Sequence, residues 1–193
     1  MLEEKRESRY YVLEGENPRR MLLYDFDDPG PQDSWLIGQR FHSAPTEPVV
    51  VPIQPGYERA ELLPYFGTPP VMSNEFFETL KGAGVDNIET YDAVLQSEDG
   101  TVQHRGFKAF NIVGLISAAD LTRTKFSSNN PERLIDAGIE SLAIDPNKPK
   151  GLLMFRLAEN VGAVIVHDKV RRAIESKPFL HVVFREPSQF ISL

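Results

Sequence analysis

The stretch that decides the fold runs from residue 107 to residue 126, "FKAFNIVGLISAADLTRTKF". Its first half is an apolar run that contains one glycine, Gly114, and its second half is polar from Ser117 and Asp120 onward. A run of this kind predicts a buried strand, and a glycine inside it allows close packing against a neighbour. We therefore interpret residues 110–116 as a central core strand, with Asp120 capping or pairing where the strand leaves the sheet.

Two β-hairpins are predicted from strand-like runs separated by turn residues. The first joins residues 10–15 ("YYVLEG") to residues 21–26 ("MLLYDF") through a short polar turn. The second joins residues 90–96 to residues 101–117 across an Asp-Gly pair that ends at Gly100, because glycine accepts the positive φ of a tight turn. We expect a bulge or kink near Gly106 to divide the long second arm.

Helix signals occur at three places. Ser73 is a natural N-cap, Glu75 lies in the first turn near the positive end of the helix dipole, and Gly82 closes the apolar stripe. Residues 167–178 predict a second short helix, which a proline stops. Residues 130–135 predict a third, because asparagine followed by proline is typical of a helix start.

Proline use sets one region apart. Nine of the fifteen prolines fall in residues 29–70, so this region is expected to hold turns and short edge strands, with residues 49–53 ("VVVPI") as an edge strand. Further strand-like runs lie at residues 141–145, 151–157, 162–167 and 180–186. Together these elements predict a single α+β domain over residues 1–193, with a largely antiparallel mixed sheet, two or three short helices and an irregular proline-rich N-terminal region.

The amino-acid composition excludes several kinds of functional site. The chain has 193 residues, a formal net charge of −7, a pI of about 5.2 and no cysteine. Disulfides, thiolate metal sites and cysteine nucleophiles are excluded. We expect a soluble cytoplasmic protein that binds neither membranes nor nucleic acid, since phosphate backbones attract basic faces. An acidic balance suits solubility or a basic partner.

Motifs of catalysis and metal binding are weak. No phosphate-binding glycine loop occurs, no two histidines have helical ligand spacing, and Ser117 lies outside a G-x-S-x-G elbow. Asp25, Asp27 and Asp28 precede a Pro-Gly pair, where a turn is a better interpretation than a cation site. We expect no metal and no cofactor.

Arg156 is the most unusual charged residue, because it interrupts the apolar run of "GLLMFRL". Strand alternation places Met154 and Arg156 on one face. A buried arginine needs a compensating anion, and Asp120 and Glu159 are the candidate partners. Two interpretations stay open: a structural ion pair, or an arginine that binds an anion in a site.

Three longer motifs occur in a fixed order: "SNEFFETLKGAGVDNIETYDAVL" (residues 73–95), "FKAFNIVGLISAAD" (107–120) and "LMFRLAENVGAVIVHDKVRRAIES" (153–176). With "YYVLEG" near the start, this order resembles immunity family eleven, a bacterial immunity-protein family of polymorphic toxin systems. The resemblance implies a non-enzymatic, cytoplasmic α+β protein that binds and neutralises a cognate toxin. The family's pattern maps onto Asn111, Gly114, Asp120, Phe155, Arg156, Glu159 and Asn160.

A toxin inhibitor needs aromatic anchors at its interface. The candidates in the irregular region are Trp35, Phe41, Tyr57, Tyr65 and Phe66. The same side chains are suited to pinning loops to the core, and both interpretations stay open.

The alternative function is a small hydrolase with a site around Asp120, Arg156 and Glu159. A cleft on which these side chains converge would favour it. An adaptor domain without a toxin is a third hypothesis. The identity of the toxin, the mode of inhibition and the oligomeric state do not follow from the sequence.

Overall fold

A computed structural model describes residues 10–16, 23–57, 63–127 and 137–192. Within them the chain forms, in order, β1 (Tyr10–Gly15), β2 (Val49–Pro52), β3 (Tyr65–Phe66), β4 (Val71–Ser73), α1 (Asn74–Gly82), β5 (Ile88–Gln96), β6 (Gln103–Ile112), β7 (Leu115–Ile116), β8 (Lys125–Phe126), β9 (Ile139–Ser141), β10 (Met154–Leu157), β11 (Asn160–His167), α2 (Asp168–Glu175), β12 (Val182–Arg185) and a 3₁₀ turn (Pro187–Gln189).

The strands form two five-stranded sheets and one two-stranded ribbon. Sheet one has the order β12-β1-β11-β10-β7, sheet two has the order β2-β5-β6-β4-β3, and β8 pairs with β9. All pairings are antiparallel except β7 with β10 and β2 with β5. The predicted fold class is confirmed: the protein is α+β with mixed, mostly antiparallel sheets.

Three clusters of buried side chains order these elements into layers. The inter-sheet core joins both sheets and both helices, and includes Leu13, Tyr65, Met72, Phe76, Phe110, Met154, Val164, Val170 and Ile174. A second cluster lies on the other face of sheet two and includes Leu23, Trp35, Val51, Leu95, Phe107 and Ala109. A third lies on the other face of sheet one and includes Tyr10, Val12, Ala119, Ile139, Phe155, Leu157, Ile165 and Phe190.

Both described helices begin as their sequences indicate. The Ser73 hydroxyl accepts the backbone N–H of Phe76 at 3.2 Å, which satisfies one of the free donors of the first turn of α1. His167 caps α2 in the same way, through a bond from the N–H of Lys169 to its ring. The third predicted helix, at residues 130–135, lies outside the described residues. Among the residues described, no helix has the length and apolar composition needed to cross a membrane.

The second predicted hairpin is confirmed, because β5 pairs with β6 from Ile88 and Ile112 to Gln96 and Gln103. Its register shifts where Ala93 faces Phe107 but Leu95 faces His104, so β6 holds one extra residue there. Gly106 has a φ of +88° at this point, which places the bulge where it was expected.

The first predicted hairpin is wrong. The strand β1 forms, but its partners are β11 on one side and β12 on the other. Within residues 21–26, Leu23 instead makes an isolated bridge to Ile53, next to β2. Three strands that are distant in sequence therefore build this part of sheet one, which a local turn signal does not reveal.

The central strand predicted over residues 110–116 is also wrong as one continuous strand. Sheet two keeps β6 up to Ile112, and sheet one takes β7 from Leu115. The chain crosses between the sheets at Val113 and Gly114, where the Val113 N–H bonds to the carbonyl of Asn87 at 2.8 Å.

The predicted edge strand is confirmed: β2 is the outer strand of sheet two and pairs in parallel with β5.

Candidate functional site

The segment before β2 is the most distinctive surface of the protein. Residues 24–48, here called the loop layer, contain no helix and no strand and cover the second buried cluster. Trp35 is its centre, with 3% of its surface exposed, and makes edge-on ring contacts with Phe26, Phe41 and Tyr91. Its indole N–H donates to the carbonyl of Asp27 at 3.0 Å. An irregular segment is thus fixed by one large aromatic side chain.

Aspartates hold the turns of the loop layer. Asp28 accepts the N–H of Trp35 at 3.1 Å, which agrees with the turn interpretation of this acidic run. Asp33 is buried and accepts the backbone N–H groups of His42 (2.7 Å) and Ser43 (3.2 Å) and a bond from the His42 ring (3.0 Å). The bond from the His42 N–H is the main cause that lowers the pKa of Asp33.

Polar bonds also fasten the loop layer to the sheets. The buried amide of Asn111, on β6, donates to the carbonyl of Gln39 at 2.6 Å. The N–H of Gly114 donates to the carbonyl of Gly38 at 2.9 Å. Gly38 has a φ of +67°, and a β-carbon there would lie 2.8 Å from the backbone nitrogen of Leu115. Asn111 and Gly114 therefore anchor the loop layer.

Negative charge is concentrated on the loop layer. The loop layer carries five carboxylates and one arginine, a net charge of −4 out of −7 for the whole chain. Asp25, Asp27 and Glu47 are exposed, and so is the aromatic ring of Tyr24, with 49% of its surface accessible. Sequence analysis missed Tyr24; its position next to the buried Leu23 in a strand-like run was the available signal.

The five predicted anchors are placed differently from Tyr24. Trp35, Tyr65 and Phe66 are buried, while Phe41 and Tyr57 are half-buried and pack on the second cluster. This burial favours the role of pinning loops to the core. Partner contact by these five residues stays a prediction.

Two further motif residues hold loops in place. Asp120 accepts the N–H and the hydroxyl of Thr122, at 3.0 and 2.7 Å, and this hydroxyl bond is the main cause that lowers the pKa of Asp120. Asn160 donates to the carbonyl of Ala137 at 3.3 Å and to the hydroxyl of Ser192 at 2.9 Å. Asp120 therefore caps its own turn, as one of its two expected roles required.

The prediction that a carboxylate pairs with Arg156 is wrong. The side chain is fully buried and shares the inter-sheet side of β10 with Met154, as strand alternation predicted. Its Nη1 donates to the carbonyl of Val161 at 2.9 Å, whereas Nε and Nη2 have no hydrogen-bond partner among the described residues. Neither Asp120 nor Glu159 bonds to it, because Asp120 bonds to Thr122 and Glu159 bonds to Ser117.

Glu159 has a different partner, which sequence analysis did not find. The exposed hydroxyl of Ser117 donates to Glu159 Oε1 at 2.5 Å, while Oε2 is buried and has no partner within the described part of the chain. Parallel pairing of β7 with β10 brings the two residues together. Because Ser117 and Glu159 are 42 residues apart in sequence, no local motif indicates their bond.

Three clefts bear on the hydrolase alternative. One of about 430 Å³ lies between the 3₁₀ turn and Arg123, another of about 430 Å³ lies beside Asp92 and Arg105, and a third of about 280 Å³ lies beside Gly15 and Gly67. None of the three is lined by Asp120, Arg156 or Glu159.

In the ranges that the structure describes, no group of three or more histidine, aspartate or glutamate side chains is arranged to hold a metal ion.

Comparison with known proteins leaves the assignment to the site itself, because no protein-family model matches the chain and no curated protein matches it at significant similarity.

Proposed function

We propose that the protein binds and neutralises a cognate bacterial toxin without catalysis, and that the loop layer is its recognition surface. The observation that supports this most is an acidic, irregular surface held in one conformation by Trp35, Asp33 and Asn111. The order of the three sequence motifs, which resembles immunity family eleven, supports the same function.

Rigidity of the loop layer favours binding. Loops on a stable scaffold commonly carry recognition surfaces, and a preformed loop loses little conformational entropy when a partner binds. In the loop layer, backbone groups that regular structure would pair are paired by aspartate and asparagine side chains. The shape presented to a partner is therefore set before the encounter.

Charge favours a basic partner. The net charge of −4 on residues 24–48 would accelerate association with a positively charged surface and select against acidic proteins. Tyr24 adds an exposed aromatic ring beside Asp25, and tyrosine is enriched among side chains that dominate binding energy. A basic toxin such as a nuclease fits this surface.

The direct test is to co-express the chain with the toxin encoded beside its gene. We expect a complex that survives gel filtration and restored growth of cells that produce the toxin. The proposal would be contradicted if an authentic toxin neither formed a complex with this protein nor lost its toxicity.

Two pairs of charge-removing variants test whether the loop layer is the surface that binds the toxin. Asp25→Asn with Asp27→Asn removes two exposed carboxylates from the loop layer; Glu78→Gln with Asp86→Asn removes two from the region of α1. We expect the first pair to slow association at low salt and the second to leave it unchanged. Equal effects of the two pairs would show that net charge, and not the loop layer, controls binding.

One observation favours the hydrolase alternative. The bond from the Ser117 hydroxyl to Glu159 joins an exposed serine to a buried carboxylate, as a nucleophile and its base are joined. The residues expected for this alternative do not meet in any of the three clefts. A screen of ester and amide substrates with the Ser117→Ala variant as control tests it, and activity that is lost in that variant would favour catalysis.

A further inference from the structure

In the described part of the chain, the two five-stranded sheets have four outer strands, and three of these are protected against pairing with another chain. The strand β2 ends at Pro52, which has no N–H, and the Pro52 carbonyl accepts the N–H of Tyr24 at 2.9 Å. The strands β3 and β7 have two residues each. A β-carbon at Gly15 would clash with the Tyr65 carbonyl of β3, and one at Gly38 of the loop layer would clash with β7. Proline, short strands and covering segments commonly protect sheet edges.

The fourth outer strand, β12, is open. It pairs with β1 on one side, and no other described strand pairs with it. All four residues of β12 are half-buried, whereas the first four residues of β1 beside it are buried. The strand contains no proline, and Val182, Val183 and Phe184 are uncharged residues that favour strands. An open edge of this composition is a template for a further strand.

The register with β1 shows which backbone groups of β12 point outward. The N–H of Glu16 donates to the carbonyl of His181 at 2.7 Å. In an antiparallel pair, facing residues exchange hydrogen bonds only at every second position, so the next bonded pair is Glu14 with Val183. The residues immediately before and after Val183 therefore direct their N–H and carbonyl groups away from β1.

These outward groups fit a second copy of the same strand. With a two-fold axis at Val183, Val182 of one copy faces Phe184 of the other, and each such pair exchanges two hydrogen bonds. The same register places valine against phenylalanine on one face of the sheet, and such cross-strand pairs are favourable. Arg185, at the end of the strand, is paired with Glu14 of its own chain and adds no unpaired charge to the contact.

The distribution of charge also favours a second copy. The loop layer, with its net charge of −4, is bonded to sheet one beside β7, through Gly38 and Gly114. Four strand spacings separate β7 from β12, or ~19 Å at about 4.8 Å each. This distance exceeds the screening length of about 8 Å at physiological ionic strength. Pairing through β12 therefore brings two uncharged edges together and keeps these attachments of the acidic loop layers apart.

We propose that the protein forms a two-fold symmetric dimer through β12, in which two copies of sheet one join into one continuous sheet of ten strands. The dimer is independent of toxin binding. Interfaces below about 1,200 Å² are typical of transient complexes, so the pairing of two four-residue strands gives a reversible dimer.

The dimer is tested first on the wild-type protein. We expect the mass from sedimentation velocity to rise from one chain toward two between micromolar and millimolar concentration. Over the same range, the amides of Val182 and Phe184 should become protected from hydrogen exchange, while the amide of Val183, which already bonds to β1, should change little. A monomer at every concentration would overturn the proposal, and so would protection of Val182 and Phe184 that appears only when a toxin is added.

Variants at the two-fold axis test the register. Val183→Lys and Val183→Glu each place two like charges opposite each other, so each variant alone should remain a monomer. Mixing the two variants places opposite charges together and should restore a dimer. In the described residues, Val183 is half-buried and belongs to none of the three buried clusters, so both variants should fold.

Val50→Lys is the matched control, because Val50 is an exposed valine on another outer strand, β2. It should dimerise as the wild type does. Dimerisation of Val183→Lys alone, or a mixture of the two Val183 variants that stays monomeric, would contradict pairing through β12. The exchange measurement on the wild type remains decisive if a variant does not fold.

Discussion

The loop layer and the inter-sheet core place polar groups out of solvent in opposite ways. In the loop layer, Asp33 accepts bonds from two backbone N–H groups and one ring, so its charge is compensated locally. In the inter-sheet core, the Arg156 guanidinium makes one bond and the Tyr65 hydroxyl makes none among the described residues. A compensated group stabilises a conformation, whereas an uncompensated one lowers the stability of the fold. We therefore interpret the first region as a rigid surface layer and the second as a core that carries an uncompensated charge.

The largest expected effect comes from removing the aromatic side chain at the centre of each region. Trp35→Ala and Phe110→Ala should each destabilise the protein by about 3–5 kcal/mol, the range for large-to-small changes at buried aromatic sites. Trp35→Ala should expose mainly the amides of the loop layer to hydrogen exchange, and Phe110→Ala those of both sheets. Loss of protection throughout sheet one in Trp35→Ala would break the distinction between the regions.

Arg156→Met should change stability in the opposite direction. Replacing the uncompensated charge by an apolar side chain of similar length should raise the free energy of unfolding by on the order of 1–4 kcal/mol. Urea unfolding in chloride measures this. A destabilised variant would show that Arg156 is compensated by the protein itself, and the contrast with Asp33 would disappear.

Asn111→Ala tests the attachment of the loop layer to sheet two. It removes a buried donor to the Gln39 carbonyl, so we expect a loss of about 1–3 kcal/mol. The Gly82→Ala variant, where a β-carbon would meet no atom within 4 Å, is a control for substitution as such. Wild-type stability in Asn111→Ala would mean that the aromatic contacts alone hold the loop layer.

The smallest expected effect is the contribution of Asp33 to the pH dependence of protein stability. Because its pKa is lowered in the folded protein, its ionised form contributes stability at neutral pH, and that contribution is lost as the pH falls through the carboxyl range. Asp33→Asn should remove this part of the acid-induced loss of stability. Acid unfolding curves of the two proteins should therefore diverge at neutral pH and converge at low pH; parallel curves would argue against a compensated carboxylate.

Local signals in the sequence predicted much of the fold. The cap at Ser73, the bulge at Gly106, the edge position of β2 and the orientation of Arg156 all depend on neighbouring residues, and all are confirmed. Strand alternation and capping are properties of a few adjacent residues, so they can be interpreted without knowing the rest of the chain.

Partners distant in sequence could not be predicted in the same way. The sequence shows an apolar run from residue 110 to residue 116, but only the tertiary structure divides it between two sheets. The sequence also marks Arg156 as unusual, and the carboxylate partner that it led us to expect is not found. Which groups surround it was decided by β3, β10 and β11 meeting in the inter-sheet core, because hydrogen bonds depend on distances in space that local patterns do not encode.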